Sequence, residues 1–384
     1  MTKVRTSADR CPGVFTTHEA RDGALARIRL PGGRIRADQL GVLAQASAAH
    51  ADGFLELTAR GNIQLRGIAD VEAVAEAVVS AGLAPDSAHD KARNIEVSPL
   101  TGRIGGAADA GPLLEALDDA LRSHPDADAV SGRFLFGVDD GRGDIVRRRP
   151  DACAVLQPGK PLVADIVVDG APIGSVSGTE GIVASLISVA TGLQEIAPGA
   201  WRVRDLGDED RARLHRELAD RHDPVVGERP GDDVEDAAPV VGWFDQDDGS
   251  VLLGCVVELG RLPARLAEFL AAVDKPIVFT PDREILICDL SEGVAETVVR
   301  VLAPMGLIFD ASSPWARLSC CVGAPGCGSA HTRVRDDLLA HVRAGSPVAD
   351  REHWVGCERR CGSPGTAHLL VQATPDGGYE RRRR

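Results

Sequence analysis

Between residues 24 and 83 the apolar positions change period from segment to segment. They alternate in ALARIRL (24–30), take helical spacing in RADQLGVLAQASAAH (36–50), alternate again through LTARGNIQLRG (57–67) and return to helical spacing in DVEAVAEAVVSAGL (70–83). A period of two marks a strand with one buried face, and a period of 3.6 marks an amphipathic helix. In the third segment Leu57, Ala59, Gly61, Ile63 and Leu65 predict a core-facing side of one strand. Thr58, Arg60, Asn62, Gln64 and Arg66 predict a polar side, which meets either water or a multiply charged ligand.

The same order returns as VLLGCVVEL, LPARLAEFLAAV, PIVFTPDREILICDL and GVAETVVRVLAPMGL. LTARGNIQLRGI aligns without gaps on FTPDREILICDL, and GLAPD (82–86) falls where GLIFD (306–310) does, so the chain carries an internal duplication with a period near 222 residues. These patterns predict a first half over 8–86, a Gly-rich unit with short β-like runs over 87–222, an acidic linker over 223–240, a second half over 241–310, a cysteine-rich lobe over 311–378 and a disordered arginine tail over 379–384. The copies are chemically unequal: Thr280, Asp282, Glu284, Leu286 and Cys288 stand where the first copy has its polar set. Losing both arginines predicts one ligand site per chain, on the first copy; drift after duplication is the bland alternative.

Composition narrows the chemistry. A net charge of -14 excludes a general nucleic-acid binder, because phosphate neutralisation needs a basic excess. Of 43 basic residues only four are lysines (Lys3, Lys91, Lys160, Lys275), and an arginine-rich set suits bidentate recognition of carboxylates, although codon bias alone produces the same skew. No stretch reaches the roughly 18 apolar residues of a membrane helix, and MTKVRTSADR has no signal-peptide core, so a cytoplasmic protein without membrane partners is expected.

Five of nine cysteines lie between residues 320 and 361. Taking Cys321 instead of its neighbour Cys320, the pattern is C-x5-C, 29 intervening residues, then C-x3-C, formed by Cys321, Cys327, Cys357 and Cys361. Four thiolates are what a [4Fe-4S] cluster requires, and Gly323, Ala324, Gly326 and Gly328 allow backbone amides near the sulfurs. Structural zinc is the rival, though its paired ligands are generally closer together. No strand-G-x-G-x-x-G-helix and no P-loop is present, so electrons for a redox reaction would come through a separate donor protein.

The duplicated half, the T-x-R-x-x-x-Q segment (Thr58, Arg60, Gln64), the pair Arg93 and Asn94, and the cysteine spacing resemble the nitrite and sulfite reductase superfamily. CPGVF, DGALARIRLPGG, ARNIEVSPLTG, CCVGAPGC and GCERRCGSP are most similar to its precorrin-3B synthase branch. The resemblance implies an α+β fold of duplicated nitrite/sulfite reductase-like architecture, with two ferredoxin-like halves plus two mixed α/β lobes around a tetrapyrrole pocket. It implies a [4Fe-4S] cluster on the four cysteines and places Arg60 and Arg93 at two anion-gripping positions, with Arg133 and Leu135 at a K-x-K pair of the reductases.

The branch is implied to convert precorrin-3A into precorrin-3B with dioxygen, by hydroxylation and lactone formation. A polycarboxylate of this kind makes Arg60, Arg66, Arg93, Arg103 and Arg133 the candidate substrate-binding arginines, with Asn62, Gln64 and Asn94 as amide partners. Two alternatives stand beside it: a sirohaem-dependent sulfite or nitrite reductase, and a non-catalytic tetrapyrrole carrier. A mononuclear non-haem iron is a further cofactor left open, and no catalytic residue is readable; His331, His353 and His368 are isolated histidines near the cysteines.

Overall fold

The computed structural model describes residues 11–85, 89–126, 129–225, 238–348 and 350–384. They fall into two compact units, one of residues 11–13, 29–33 and 84–225, the other of residues 14–28, 34–83 and 238–384.

The second unit contains both repeats and the cysteine lobe. The first repeat forms an antiparallel sheet ordered His18–Ala20, Gly23–Ile28, Ile63–Ile68, Phe54–Leu57 and then Arg261–Pro263; the second is ordered Gly242–Asp245, Val251–Cys255, Ile285–Leu290, Ile277–Phe279 and then Arg34–Ile35. Each sheet is therefore closed by a strand from the other repeat, with Arg261 opposite Glu56 and Ile35 opposite Ile277. Helices Ala37–His50 and Ala264–Ala271, which follow the exchanged strands, pack on each other where Gly41 meets Ala271. Leu40, Leu43 and Ala44 give the first helix its buried stripe.

LTARGNIQLRG is not the single strand that its alternation predicts: residues 58–62 form a hairpin turn between Phe54–Leu57 and Ile63–Ile68. Thr58 Oγ1 accepts the amides of Arg60 (3.4 Å) and Asn62 (3.0 Å), and Gly61 adopts φ +65. A side-chain acceptor followed three residues later by a residue free to take positive φ is a turn signal, and it breaks the continuous alternation. The second repeat builds the same turn on Thr280, with Arg283 at φ +66 where the first has Gly61.

The cysteine lobe is a mixed sheet ordered Leu318–Cys320, Glu352–Val355, Leu369–Ala373, Tyr379–Arg383, with parallel, parallel and antiparallel pairings. Helix Val334–Arg343 covers it, burying Val334 and Leu338 with Trp354 and Val371. The expected disordered tail is thus an edge strand. Its composition is polar, but the backbone pairs from Leu369 opposite Arg383 to Ala373 opposite Tyr379, and Tyr379 packs 4.9 Å from the Trp354 ring.

The first unit is a five-stranded mixed sheet ordered Ala171–Ser177, Val163–Val168, Ala152–Gln157, Phe136–Asp139, Ile95–Val97. Helices Gly111–Ser123 and Thr179–Ile196 bury Leu113, Leu117, Leu186 and Leu193 in its core. The fold is accordingly α+β, two ferredoxin-like halves and two mixed α/β lobes. Most of the expected linker, residues 226–237, lies outside the described residues; before it, Asp223 bridges to Ser175.

The Tyr379 hydroxyl donates to Asp337 (2.7 Å) and bonds Thr332 (2.6 Å), whose carbonyl accepts the Ala324 amide (2.9 Å) in the cysteine loop. Tyr379→Ala is expected to cost roughly 2 kcal/mol in chemical denaturation, whereas a disordered tail would leave the midpoint unchanged.

Candidate functional site

Strand Leu318–Cys320 runs parallel to Glu352–Val355 with Cys320 opposite Trp354, and the Cys321 amide continues the ladder to the Trp354 carbonyl at 2.9 Å. Neighbouring strand residues face opposite ways. Cys320 accordingly meets Arg335, Arg283 and Glu56, and burial pushes its thiol up to about 12. Cys321 instead has Cys327 and Cys361 as electrostatic neighbours, and Cys357 has the same two. The structure therefore brings Cys321, Cys327, Cys357 and Cys361 together and turns Cys320 away.

Backbone amides serve the sulfurs. Gly356 N–H donates to Cys321 Sγ at 3.2 Å, Gly323 N–H adds a second bond, and Arg359 N–H reaches Cys357. Burial, the largest effect, raises the Cys321 and Cys357 thiols, the neighbouring thiols add to it, and the amides oppose it. The loops need glycine: a Cβ at Gly323 would sit 2.6 Å from the Val334 amide nitrogen, and one at Gly356 2.6 Å from Ala330 Cβ. Four neighbouring thiols, two of them with backbone amide donors, on loops kept close by glycine are a donor set that fits a [4Fe-4S] cluster.

The second hairpin props this cradle. Arg283 donates to the Gly362 carbonyl, and Asp282 is ion-paired with Arg351. Buried Glu284 accepts from Thr280 Oγ1 at 2.9 Å and from the Val240 amide at 2.8 Å; burial first, then Asp282, raises its carboxyl to about 7. Of the residues that replace the first copy's polar set, Asp282 thus fastens the cysteine lobe, and Arg283, standing where the first copy has Gly61, adds a second attachment. His353 sits beneath, its Nε2 donating to the Cys361 carbonyl (3.1 Å) and its Nδ1 accepting from Ser319 Oγ (2.8 Å). Burial holds His353 far below its ordinary value, which keeps it a neutral prop. His331 is exposed, and His368 Nδ1 donates to the Thr366 carbonyl at 2.8 Å.

The arginine face expected from alternation is redistributed. Gln64 accepts from Arg27 (3.2 Å) and donates to Glu56 (3.3 Å), which is ion-paired with Arg335 and Arg261. Arg66 is buried and held by both oxygens of Asp22, at 3.0 and 2.8 Å. Asp22 lies against the cysteine loop, since a Cβ on Gly326 would approach its Oδ2 to 2.7 Å. Arg60 is half-buried in the hairpin turn and Asn62 is buried.

In the other unit Arg93 is buried against Asp118, at 2.6 and 3.0 Å, and Asn94 donates to the Phe134 carbonyl at 2.9 Å. Arg103 is half-buried, while Arg133 is exposed 4.6 Å above the Trp201 ring. Leu135 is buried and its amide donates to Asp151 (2.8 Å).

An acidic trio not singled out from sequence lies in this unit: oxygens of Asp139, Asp140 and Asp144 are within 4.8 Å of one another. Asp139 accepts four amides, from Gly141, Gly143, Ile145 and Val146; Asp140 holds Arg142; Asp144 accepts from Ser98 at 2.5 Å. The trio is a loop brace in which each of the three carboxylates accepts from protein donors.

Residues 18–81 match the family described as the nitrite/sulfite reductase ferredoxin-like half domain. The solved structure of the Mycobacterium tuberculosis NirA protein superposes with a TM-score of 0.73 at 17% identity, covering 100% of this chain and 77% of that one. The fold is that of the nitrite/sulfite reductases. Along 96% of its length the chain is similar to precorrin-3B synthase of Sinorhizobium sp, 27% identical and covering 81% of that protein. It is 24% identical over 93% of its length to ferredoxin–nitrite reductase of Synechococcus elongatus, of which it covers 77%.

Two outcomes are expected. Asp22→Ala leaves the Arg66 guanidinium buried without its carboxylate and should lower unfolding free energy by roughly 2–3 kcal/mol, measured by denaturant titration. Burial, then Asp139, raises Asp144 to about 7 from 3.8, so the folded state binds this proton more tightly than the unfolded chain, and the group's contribution to stability grows as pH falls through that window. Asp144→Asn should therefore stabilise above neutrality by about 1–3 kcal/mol and lose that advantage in acid, read from melting curves across the range.

Proposed function

We infer that this chain is an oxidoreductase of tetrapyrrole metabolism that converts precorrin-3A into precorrin-3B, a dioxygen-dependent hydroxylation with lactone formation. The observation that carries the reading is the near full-length similarity to a precorrin-3B synthase, in a chain whose four cysteines converge with amide donors around them. Cys321, Cys327, Cys357 and Cys361 would hold a [4Fe-4S] cluster, which supplies single electrons when bound. The name of the nitrite reductase relative points to a ferredoxin as the class of separate donor protein.

Each of this chain's residues then has a task. Gly323, Gly356 and Arg359 donate to the sulfurs, and Asp22, Arg283 and His353 hold the loops that carry them. Among the candidate arginines, Arg60, Arg103 and Arg133 are the ones with surface to offer a polycarboxylate. Arg66 and Arg93 are clamped by carboxylates and act as braces. Leu135 stands at a position that is basic in the reductases by resemblance, and its burial removes one anion-gripping group. That favours the synthase over sulfite or nitrite reduction, the second reading, which the similarity to nitrite reductases keeps in view.

The test is the absorption spectrum of anaerobically purified protein, followed by addition of precorrin-3A, dioxygen and reductant. An iron-sulfur shoulder and a hydroxylated lactone product are expected. Sirohaem bands with turnover of nitrite or sulfite would replace the synthase by the reductase, and tight precorrin binding without product would make the protein a carrier. Cys357→Ser and Cys361→Ser should each abolish most bound iron and acid-labile sulfide, while Cys320→Ser, whose thiol faces away, should retain both; loss in Cys320→Ser with retention in the other two would reverse the ligand assignment.

A further inference from the structure

In the first unit two short turns, Val146–Arg148 and Val203–Asp205, bring RRRP (147–150) beside WRVR (201–204). Arg149 caps the first turn at φ +52, and its carbonyl accepts from Arg204 Nη2 (2.7 Å) and Arg202 Nη2 (3.5 Å). Arg149 lies over the Asp169–Gly170 turn: its Nη2 donates to the Asp169 carbonyl at 2.9 Å, and its Nε is 3.1 Å from where a Gly170 Cβ would be.

Two carboxylates lie on the inner side of this group. Asp151 is fully buried, ion-paired with Arg202, and also accepts the amides of Leu135 and Val203. Asp169 is buried and reaches Arg149 at 3.5 Å and Arg204 at 3.7 Å. Three guanidinium groups thus share two carboxylates. The acids face inward, while the Arg149 and Arg204 side chains remain 64% and 47% exposed. Burial, followed by the neighbouring Arg202 and Arg149, holds Arg204 below its ordinary value, a sign of crowded positive charge. Trp201, adjacent in sequence to Arg202, carries Arg133 above its ring at 4.6 Å.

We propose that Arg133, Trp201, Arg149 and Arg204 form a carboxylate-binding strip that takes the acid side chains of a tetrapyrrole polycarboxylate. The strip rests on the function proposed above and adds three residues, Trp201, Arg149 and Arg204, to the candidate substrate-binding set that already holds Arg133. Its logic is the opposite of the Arg66 and Arg93 sites. There a carboxylate of the protein fills the guanidinium fork; here the inner acids fix the positions of the arginines, and the outer N–H edges of Arg149 and Arg204 remain toward solvent. Guanidinium groups fixed in this way lose little freedom when they bind a carboxylate. The Trp201 indole, one residue before Arg202 and under the Arg133 guanidinium, offers an apolar, polarisable face to a macrocycle edge.

The test uses the full-length protein and uroporphyrin III, a porphyrin carboxylated on every ring, titrated by tryptophan fluorescence quenching and calorimetry. The double variant R149Q/R204Q should bind it at least about tenfold more weakly than wild type. The equally charged control R382Q/R383Q, on the edge strand of the other unit, should match wild type. Equal affinity in all three proteins overturns the strip, as does competition by inorganic phosphate as effective as that by uroporphyrin, which would make it a small-anion site. Precorrin-3A turnover separates the two levels. Wild-type conversion with unchanged porphyrin affinity in R149Q/R204Q sinks the strip alone. Weakened porphyrin binding in that variant, with no wild-type conversion, supports the strip and sinks the synthase reading.

Discussion

The exchange of Arg34–Ile35 and Arg261–Pro263 between the two repeats is the constraint on which the rest of this unit depends. A four-stranded sheet whose edge is filled by its partner repeat cannot close alone, so neither ferredoxin-like half is complete without the other. The exchange also fixes where each hairpin points, because the strands that carry them pair directly with the borrowed ones. Glu56 illustrates the coupling: opposite Arg261 in the exchanged register, it is also ion-paired with Arg335 of the cysteine lobe. One carboxylate thereby ties both repeats and the lobe.

Held in this way, the repeats are unequal for a mechanical reason. The two hairpins share a threonine-closed turn, Thr58 and Thr280, and differ in what extends from the tip. In the second, Asp282 and Arg283 are used up on Arg351 and Gly362, so that tip is an internal fastening. Duplication supplied two equivalent protrusions, and one of them became part of the support for the thiols.

The repeat, the strand and helix order and the cysteine spacing were legible because each is a local pattern with a fixed period. The turn at 58–62 was hidden although its signals were present: the residues of a hairpin tip happened to continue the alternation of the strands on either side. Arg66 and Arg93 looked like ligand groups because their partners, Asp22 and Asp118, stand 44 and 25 residues away, beyond any spacing rule. The arginine ending resisted prediction for a different reason. An edge strand asks little of its side chains when backbone pairing and one well-placed tyrosine suffice. Arg149 and Arg204 gave no signal at all, since only the meeting of two turns from distant segments makes them neighbours.

Arg283 is a compromise between backbone preference and attachment. In the first repeat the equivalent tip position is Gly61, which takes positive φ at no steric cost; in the second an arginine is held at φ +66, a conformation that costs of order 1 kcal/mol for a residue with a Cβ. A glycine there would relax the backbone and untether Gly362, one residue from Cys361. Local comfort and rigidity of the thiol loop are therefore in opposition at this position. A stabilising substitution chosen on backbone preference alone would loosen the part of the molecule whose geometry has least tolerance for movement.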